Sequence, residues 1–507
     1  MAFLEKLAVD SGACISSPFF LKQPAVPQLR HLSTRGWAFP SPLPPLCVAK
    51  RPPPLPTELP VDEERQQQRS FLVDAFHQRR CLKAFLSELS RSGSNPLCIL
   101  DRDGDWPSDK LWPALTFLAN SGRANEALQV FSLWKSKEVS RTNVANCSKI
   151  IRLFCEGNLM DAAMSVFEDM HKHDIAPSVT IYNAVIHGFA RNAEFQKSRA
   201  LLSRMMGDGL KPAPETYNGM LRAFGRCGLY DDMSKCVKMM ESEGCYPNEV
   251  TYNLLISEFA RGGLVQRMEK AYRTLLSKRM NLQSCTLITM LEAYVDLGIL
   301  EKMEKMFRRF LNSEAFMKDD LIRKMANVYI ENVRFARLEE FGNDIAGRTG
   351  RTELVWCILL LSSAGMMSRR GMDSLLCEME RAEVSFNTTF MNIFALFYLK
   401  MKDFKALDGV FSQANKQGAK LDLVTVSILF DACAIGYNGS YVLEKWKRNA
   451  FLESAVDMKT DPLVISAFGK GAFIRKCEKL YASLRSKAKD EKFWTYSDLI
   501  RLAFSRN

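Results

Sequence analysis

The chain contains no run of eighteen or more apolar residues, so no stretch of it has the length and composition of a membrane-spanning helix. Its longest apolar patch, WCILLLSSAG at 356–365, has the length of a buried helix. None of the fourteen cysteines belongs to a Cys-x-x-Cys pair, and there are only five histidines. Paired zinc-ligand spacing is therefore missing, and no cofactor is expected. Cys155, Cys357 and Cys477 fall on apolar helical positions. That suits free thiols in a reducing compartment better than a disulfide framework.

Acidic residues are missing altogether from 11–57, a stretch with eleven prolines and the basic residues Lys22, Arg30, Arg35, Lys50 and Arg51. Such a segment cannot bury a core. It has the composition of an organelle transit segment and lacks the compact apolar stretch of a secretory signal. An ordinary Pro-rich tail is the alternative. The opening Met-Ala and the lack of an Arg-rich amphipathic helix favour plastid (stroma) over mitochondrion. The whole chain carries a formal charge of +12; residues 1–57 hold six basic and two acidic residues, so about +8 remains without them. A basic balance favours polyanionic partners.

Two near-motifs fail on inspection. GNDIAGRT at 342–349 has Arg348 where a phosphate loop needs lysine, and no strand precedes it. DRDGD at 101–105 has Gly104 two places too early for a calcium loop.

What the chain does have is a period. PSVTIYNAVIHGFARNA, PAPETYNGMLRAFGRCG and PNEVTYNLLISEFARGG follow one another at thirty-five-residue intervals. Blocks begin at 144, 179, 214, 249 and 284, after an earlier block at about Ser108. A less regular block starts at Asp319, and the register resumes at Glu353, Thr388, Leu423 and Met458, with a truncated block at Phe493. Pro177, Pro212 and Pro247 share position 34; Gly209, Gly244 and Gly418 share position 31; Met170, Met205, Met240 and Met379 share position 27.

Within one block, Tyr252, Leu255, Ile256 and Phe259 form one helical stripe, Gly262-Gly263 interrupts it, and Met268, Ala271, Tyr272, Leu275 and Leu276 form a second. A lone hairpin cannot cover both stripes, so neighbours must stack on it. The expected fold is all-α: an α-solenoid of about ten to eleven hairpins. The expected divisions are a head at 1–57, a helical lead-in at 58–107, a first array at 108–318, a degenerate repeat at 319–352 and a second array at 353–507.

Two columns on the first helices are polar where a core would be apolar. Position 5 carries Ser148, Asn183, Asn218, Asn253, Asn392 and Ser427; position 13 carries Arg191, Arg226, Arg261, Lys400 and Lys470. The two positions lie about 80° apart around a helix, on one broad side. Short amides and hydroxyls can bond base edges, and a basic column beside them can follow phosphates. Helix-start capping would also explain the first column, and a solvated face the second.

The period of thirty-five, the phrase V-T-Y-N-x-L-I and the proline near each block end resemble the pentatricopeptide repeat family in its plain class. The resemblance runs over roughly 108–507 and is weakest at 284–352. It implies a single-stranded RNA-binding protein of plant organelles, acting without catalysis in intron splicing, transcript stabilisation or processing, with other RNA-processing factors as companions. In the family, positions 5 and 35 jointly choose the base and position 2 packs against it. By that resemblance Asn392 with Asp422 matches U, Ser427 with Asp457 matches G, and Asn218 with Asn248 matches C less strictly. Asn183 with Ala213 and Asn253 with Gln283 carry over a pyrimidine bias only. Ile288, Arg323, Cys357, Pro462 and, at position 2, Glu215 do not fit. A deaminase tail is lacking. A protein-binding scaffold and an RNA-processing enzyme are the other function classes.

Overall fold

Helices of thirteen residues recur at the period of the sequence. Val144–Glu156, Val179–Arg191, Pro214–Arg226, Glu249–Arg261, Ser284–Asp296, Asp319–Glu331, Glu353–Gly365 and Thr388–Lys400 each occupy positions 1–13 of a block. Met160–Lys172, Phe195–Gly207, Tyr230–Ser242, Val265–Ser277 and Arg369–Arg381 each begin at position 17. The block from Asp319, whose sequence columns fade, still folds as a hairpin, Asp319–Glu331 with Phe335–Thr349. The computed structural model describes residues 80–91, 95–416, 420–485 and 494–504. The acid-free head, half of the lead-in and Gly418 lie outside them.

The helices start and stop for local reasons. Position 35 is the N-cap of the next block: Asn143, Asn248, Asn387 and Asp422 each accept a backbone N–H three residues on, at 2.9–3.0 Å. These bonds satisfy donors that a helix start leaves open. The first helices end at position 13, and at position 15 the backbone turns left-handed. Gly122, Gly228, Gly263 and Gly298 stand there, but so do Asn158, Ala193, Val333, Met367 and Lys402. The amide at position 16 then reaches back to the carbonyl at position 11, at 2.8 Å for Leu159 to Phe154 and 2.9 Å for Leu264 to Phe259. This six-to-one bond is the Schellman closure.

The chain forms two compact units, divided between Pro247 and Asn248. In the first, the 144–156 helix packs on 179–191, which packs on 214–226. Tyr182, Val185, Ile186, Tyr217, Leu221 and Phe224 are buried between these layers. In the second, the first helices of the blocks stack in the same sequential way through Leu423–Ala434. Each hairpin thus covers its apolar stripes against its neighbours, and the described parts form stacked helical hairpins. Apart from one isolated bridge, Ala455 to Thr495, the described residues hold no β-structure.

The register breaks after the Leu423 helix. The block expected at Met458 does not supply another first helix to the stack. Its helix runs only from Pro462 to Phe468 and packs on the helices at 319–331, 353–365 and 388–400. Ala472–Arg485 packs on Leu423–Ala434 instead. The physical reason is Pro462: with no N–H and a ring that clashes one turn back, it is tolerated only in a helix's first turn. A helix beginning at 458 is thus excluded, and residues 457–461, which are not helical, bond to the earlier hairpins instead.

Val333 is a β-branched residue at φ 55° and is 72% exposed. Val333→Gly is expected to raise stability by about 1 kcal/mol, the cost of a side chain in the left-handed region. The urea midpoint of unfolding measures it, and an unchanged or lower midpoint would show that the turn stores no such strain.

Candidate nucleic-acid interface

The unit before Asn248 holds three position-5 residues. Ser148 and Asn183 are half-buried, and Asn218 is buried. Asn183 Oδ1 accepts the Thr216 hydroxyl at 2.7 Å, a tie from one first helix to the start of the next. Asn218 Oδ1 is buried with no hydrogen-bond partner among the described residues. Of the basic column, Arg191 is exposed and donates one N–H to the Cys155 carbonyl at 2.7 Å. Arg226 is also exposed.

In the unit from Asn248 onward, Asn248 itself is a cap: its Oδ1 accepts the Thr251 N–H at 3.0 Å and the Thr251 hydroxyl at 2.9 Å. Asn253 is buried. Its amide donates to the carbonyls of Glu249 and Asn281 and accepts from Gln283 N, each at 2.9 Å. Both of its N–H groups are thereby used. Arg261 is exposed and pairs with the buried Glu258 at 2.6 Å.

Asn392 and Asp422 are both wholly buried, at 0% exposure. Asn392 Nδ2 donates to Asp422 Oδ1 at 2.9 Å and to Thr460 Oγ1 at 2.6 Å, and its Oδ1 accepts from Thr425 Oγ1 at 2.9 Å. Asp422 caps its own helix and also accepts the backbone N–H groups of Lys459 and Thr460, at 3.1 and 2.9 Å, and the Thr460 hydroxyl. Ser427 is buried and bonds Asp431 at 3.1 Å. Asp457 is held by Lys459 at 2.6 Å and by the Tyr496 hydroxyl at 3.0 Å. Lys400 lies over the Phe468 ring, 4.8 Å from its centroid, and Lys470 pairs with Glu478 at 2.6 Å. That pairing raises the Lys470 pKa.

Two of this unit's position-5 residues that do not fit the family's pairs belong to the same constellation. Arg323 pairs with Asp461 at 2.9 Å. Cys357 is 2% exposed, and burial pushes its thiol well above the ordinary range. The structure therefore separates the column into two environments. In the earlier blocks Asn183 and Asn253 are tied to the start of the next hairpin. From Arg323 onward position 5 faces residues 457–471 of the same chain.

Helix-start capping, the ordinary explanation considered for position 5, falls instead at position 35. Position 5 lies a full turn inside. Sequence reasoning also missed the threonines of position 3. Thr216, Thr251, Thr286 and Thr425 are buried, and Thr216 and Thr425 hold the amides of Asn183 and Asn392. The recurrence of Thr at position 3 of four blocks, in the phrase T-Y-N for Thr216 and Thr251, was the available signal. Among the described residues no helix is long and apolar enough to cross a membrane, and no group of three or more His, Cys, Asp or Glu is placed to hold a metal.

The two caps differ in what they carry, which a pair of substitutions separates. Asn248→Ala is expected to cost about 1 kcal/mol, the loss of a cap. Asp422→Ala is expected to cost about 3–5 kcal/mol, because it strips partners from buried donors on three segments. Urea unfolding of the two variants measures this, and equal costs would reduce Asp422 to a cap.

Family models agree with the block register. One described as the PPR repeat family matches 214–261, one described as the pentatricopeptide repeat domain matches 130–192, and one described as the PPR repeat matches 180–210 and 250–280. Among solved structures, the maize pentatricopeptide repeat protein PPR10 is 17% identical with a TM-score of 0.35, over 78% of this chain and 61% of that one. This chain thus spans about three fifths of the maize protein's length. Yeast Rmd9p, solved with a 16-nucleotide target RNA, is 11% identical with a TM-score of 0.32, over 84% of this chain and 89% of that one. A chloroplastic pentatricopeptide repeat-containing protein of Arabidopsis thaliana is 55% identical over 457 residues, 89% of this chain and 90% of the relative. With that identity over nearly the whole length of both proteins, and with hairpins repeating every thirty-five residues, the chain belongs to the pentatricopeptide repeat family.

Proposed function

We propose that the protein binds single-stranded RNA in the chloroplast stroma and acts there without catalysis, holding a segment of one or a few transcripts extended and so protecting, processing or aiding the splicing of them. One observation carries this reading: in three consecutive blocks an arginine stands at position 13 and an asparagine at position 5, and Arg191, Arg226 and Arg261 are all exposed. A guanidinium has five donors. Arg191 and Arg261 each commit only part of theirs. A column of partly free cations at a fixed repeat interval suits a backbone with charge at fixed intervals. The designation of the Arabidopsis relative as chloroplastic supports the location, as does the acid-free head.

Changing Arg191, Arg226 and Arg261 together to Ala is expected to weaken RNA binding alike for all sequences. It should also flatten the dependence of log affinity on log salt by up to about two units, at roughly 0.7 for each single-strand phosphate contact. Fluorescence anisotropy at several salt concentrations measures both. A folded triple variant with unchanged affinity and slope would leave these arginines as a solvated surface.

The head is tested separately. Residues 1–57 fused to a fluorescent reporter are expected to carry it into chloroplasts. A diffuse cytosolic signal would remove the targeting role.

A further inference from the structure

Position 5 of four successive blocks meets one segment of the chain. Arg323 pairs with Asp461, Asn392 donates to Thr460, and Cys357 lies close enough to Asp461 and Arg323 for their charges to act on its thiol. At Ser427 the approach is closest. A Cβ built on Gly471 would sit 2.7 Å from Ser427 Oγ and 1.9 Å from Asp431 Oδ2, so a side chain there would have to displace both. The segment also enters the main-chain bonding: Leu423 N donates to the Asp457 carbonyl at 3.2 Å, and Asp461 N to Thr389 Oγ1 at 3.1 Å.

The contact is dry as well as polar. Leu463 and Val464 of the short helix are buried. Beneath it, the Glu353–Gly365 helix is buried at every residue from Leu354 to Ala364. A helix buried on all sides has protein on all sides. Uncovering it would expose apolar surface and strip from Asp422 and Asn392 the bonds that Lys459 and Thr460 supply. Position 5 beneath it would not hold a polyanion in exchange: one residue is a thiol, one is a hydroxyl, one is an amide already bonded, and the one cation, Arg323, is paired; the position-13 cation of these blocks, Lys400, lies over the ring of Phe468 in the same segment.

We infer that residues 457–471 are a permanent seal, and that the position-5 face of the blocks starting at 319, 353, 388 and 423 is closed to RNA and to any other ligand. Asn392, Asp422, Ser427 and Asp457 then hold the seal instead of choosing bases. This deepens the RNA-binding reading and rests on it for one consequence. At one base per repeat, base selection is left to the blocks before Asp319, and an RNA footprint ends there.

Cys357 is a reporter already in place. Native full-length protein is treated with N-ethylmaleimide and each cysteine's labelling is followed by mass spectrometry. Cys357 is expected to react at least about a hundredfold more slowly than the exposed Cys377, as buried groups react only through opening. The rate should not change when randomised single-stranded RNA is added to saturation. Replacing Leu463 and Val464 together with Glu should raise the Cys357 rate at least about tenfold. Should that variant not fold, Arg323→Ala, which removes only the ion pair at the surface of the seal, takes its place with a smaller increase expected.

Fast labelling of Cys357 in the free protein would overturn the seal. So would labelling accelerated by RNA, which would make the segment a displaceable plug. A second arm selects RNA from a randomised pool with wild type and Ser427→Asn. Identical preferences support the seal, and a change from G to U at one position overturns it. If no RNA binds either protein, the RNA-binding reading fails while the labelling of the free protein still decides the seal.

Discussion

A hairpin of two thirteen-residue helices carries apolar stripes on both helices and can turn only part of that surface inward. The rest must be covered by something else, and this requirement organises the whole chain. In the interior of each unit the next hairpin supplies the cover, and the cover is renewed every thirty-five residues. The polar ties follow from the same requirement. Stacking brings the amide at position 5 over the start of the next first helix, where Thr216 or Thr425 waits with a hydroxyl. An amide carried into a dry layer costs free energy unless it is bonded. Once bonded in one geometry, it also fixes the rotation of one helix on the next.

Stacking explains why position 35 carries two burdens. It caps the helix that follows it, so it must be a short acceptor. It also lies beside the position-5 residue thirty positions earlier. Asp422 shows both at once, with its oxygens shared among its own helix, Asn392 and the backbone of residues 459–460. A residue pair that would choose a base in one environment is an internal crosslink in another. What decides between the two is whether protein or solvent lies over that face.

Much of this was legible in the sequence. The thirteen-residue bounds fall where the period puts them, because caps and left-handed turns are local and repeat with the phrase. Even the faded block at 319–352 keeps its hairpin, since apolar spacing survives where the polar columns do not. The closing segment was not legible, for two reasons. Its contacts are long-range, as in Arg323 with Asp461, 138 residues apart. Its own sequence also keeps two marks of the repeat, Phe468 at position 11 and Lys470 at position 13, so the register runs on past the point where the fold leaves it. The contrary sign was Pro462, which no first helix could hold at position 5. A second sign was WCILLLSSAG, apolar around its whole circumference and so bound to be covered twice.

The position of the seal in the chain has a consequence for how the protein comes into being. A chain is made from its N-terminus, and domains form as their residues become available. The hairpins from Asp319 to Ala434 are complete before residues 457–471 exist. During that interval the Glu353–Gly365 helix shows its second apolar side to water, and the Asp422 carboxylate lacks its last donors. The second unit therefore passes through a state with nearly all its helices and an open apolar trough, the kind of surface that associates with other chains. Its maturation is decided at the end of synthesis, and a stop codon that removed only the last tenth of the protein would leave that trough uncovered for good.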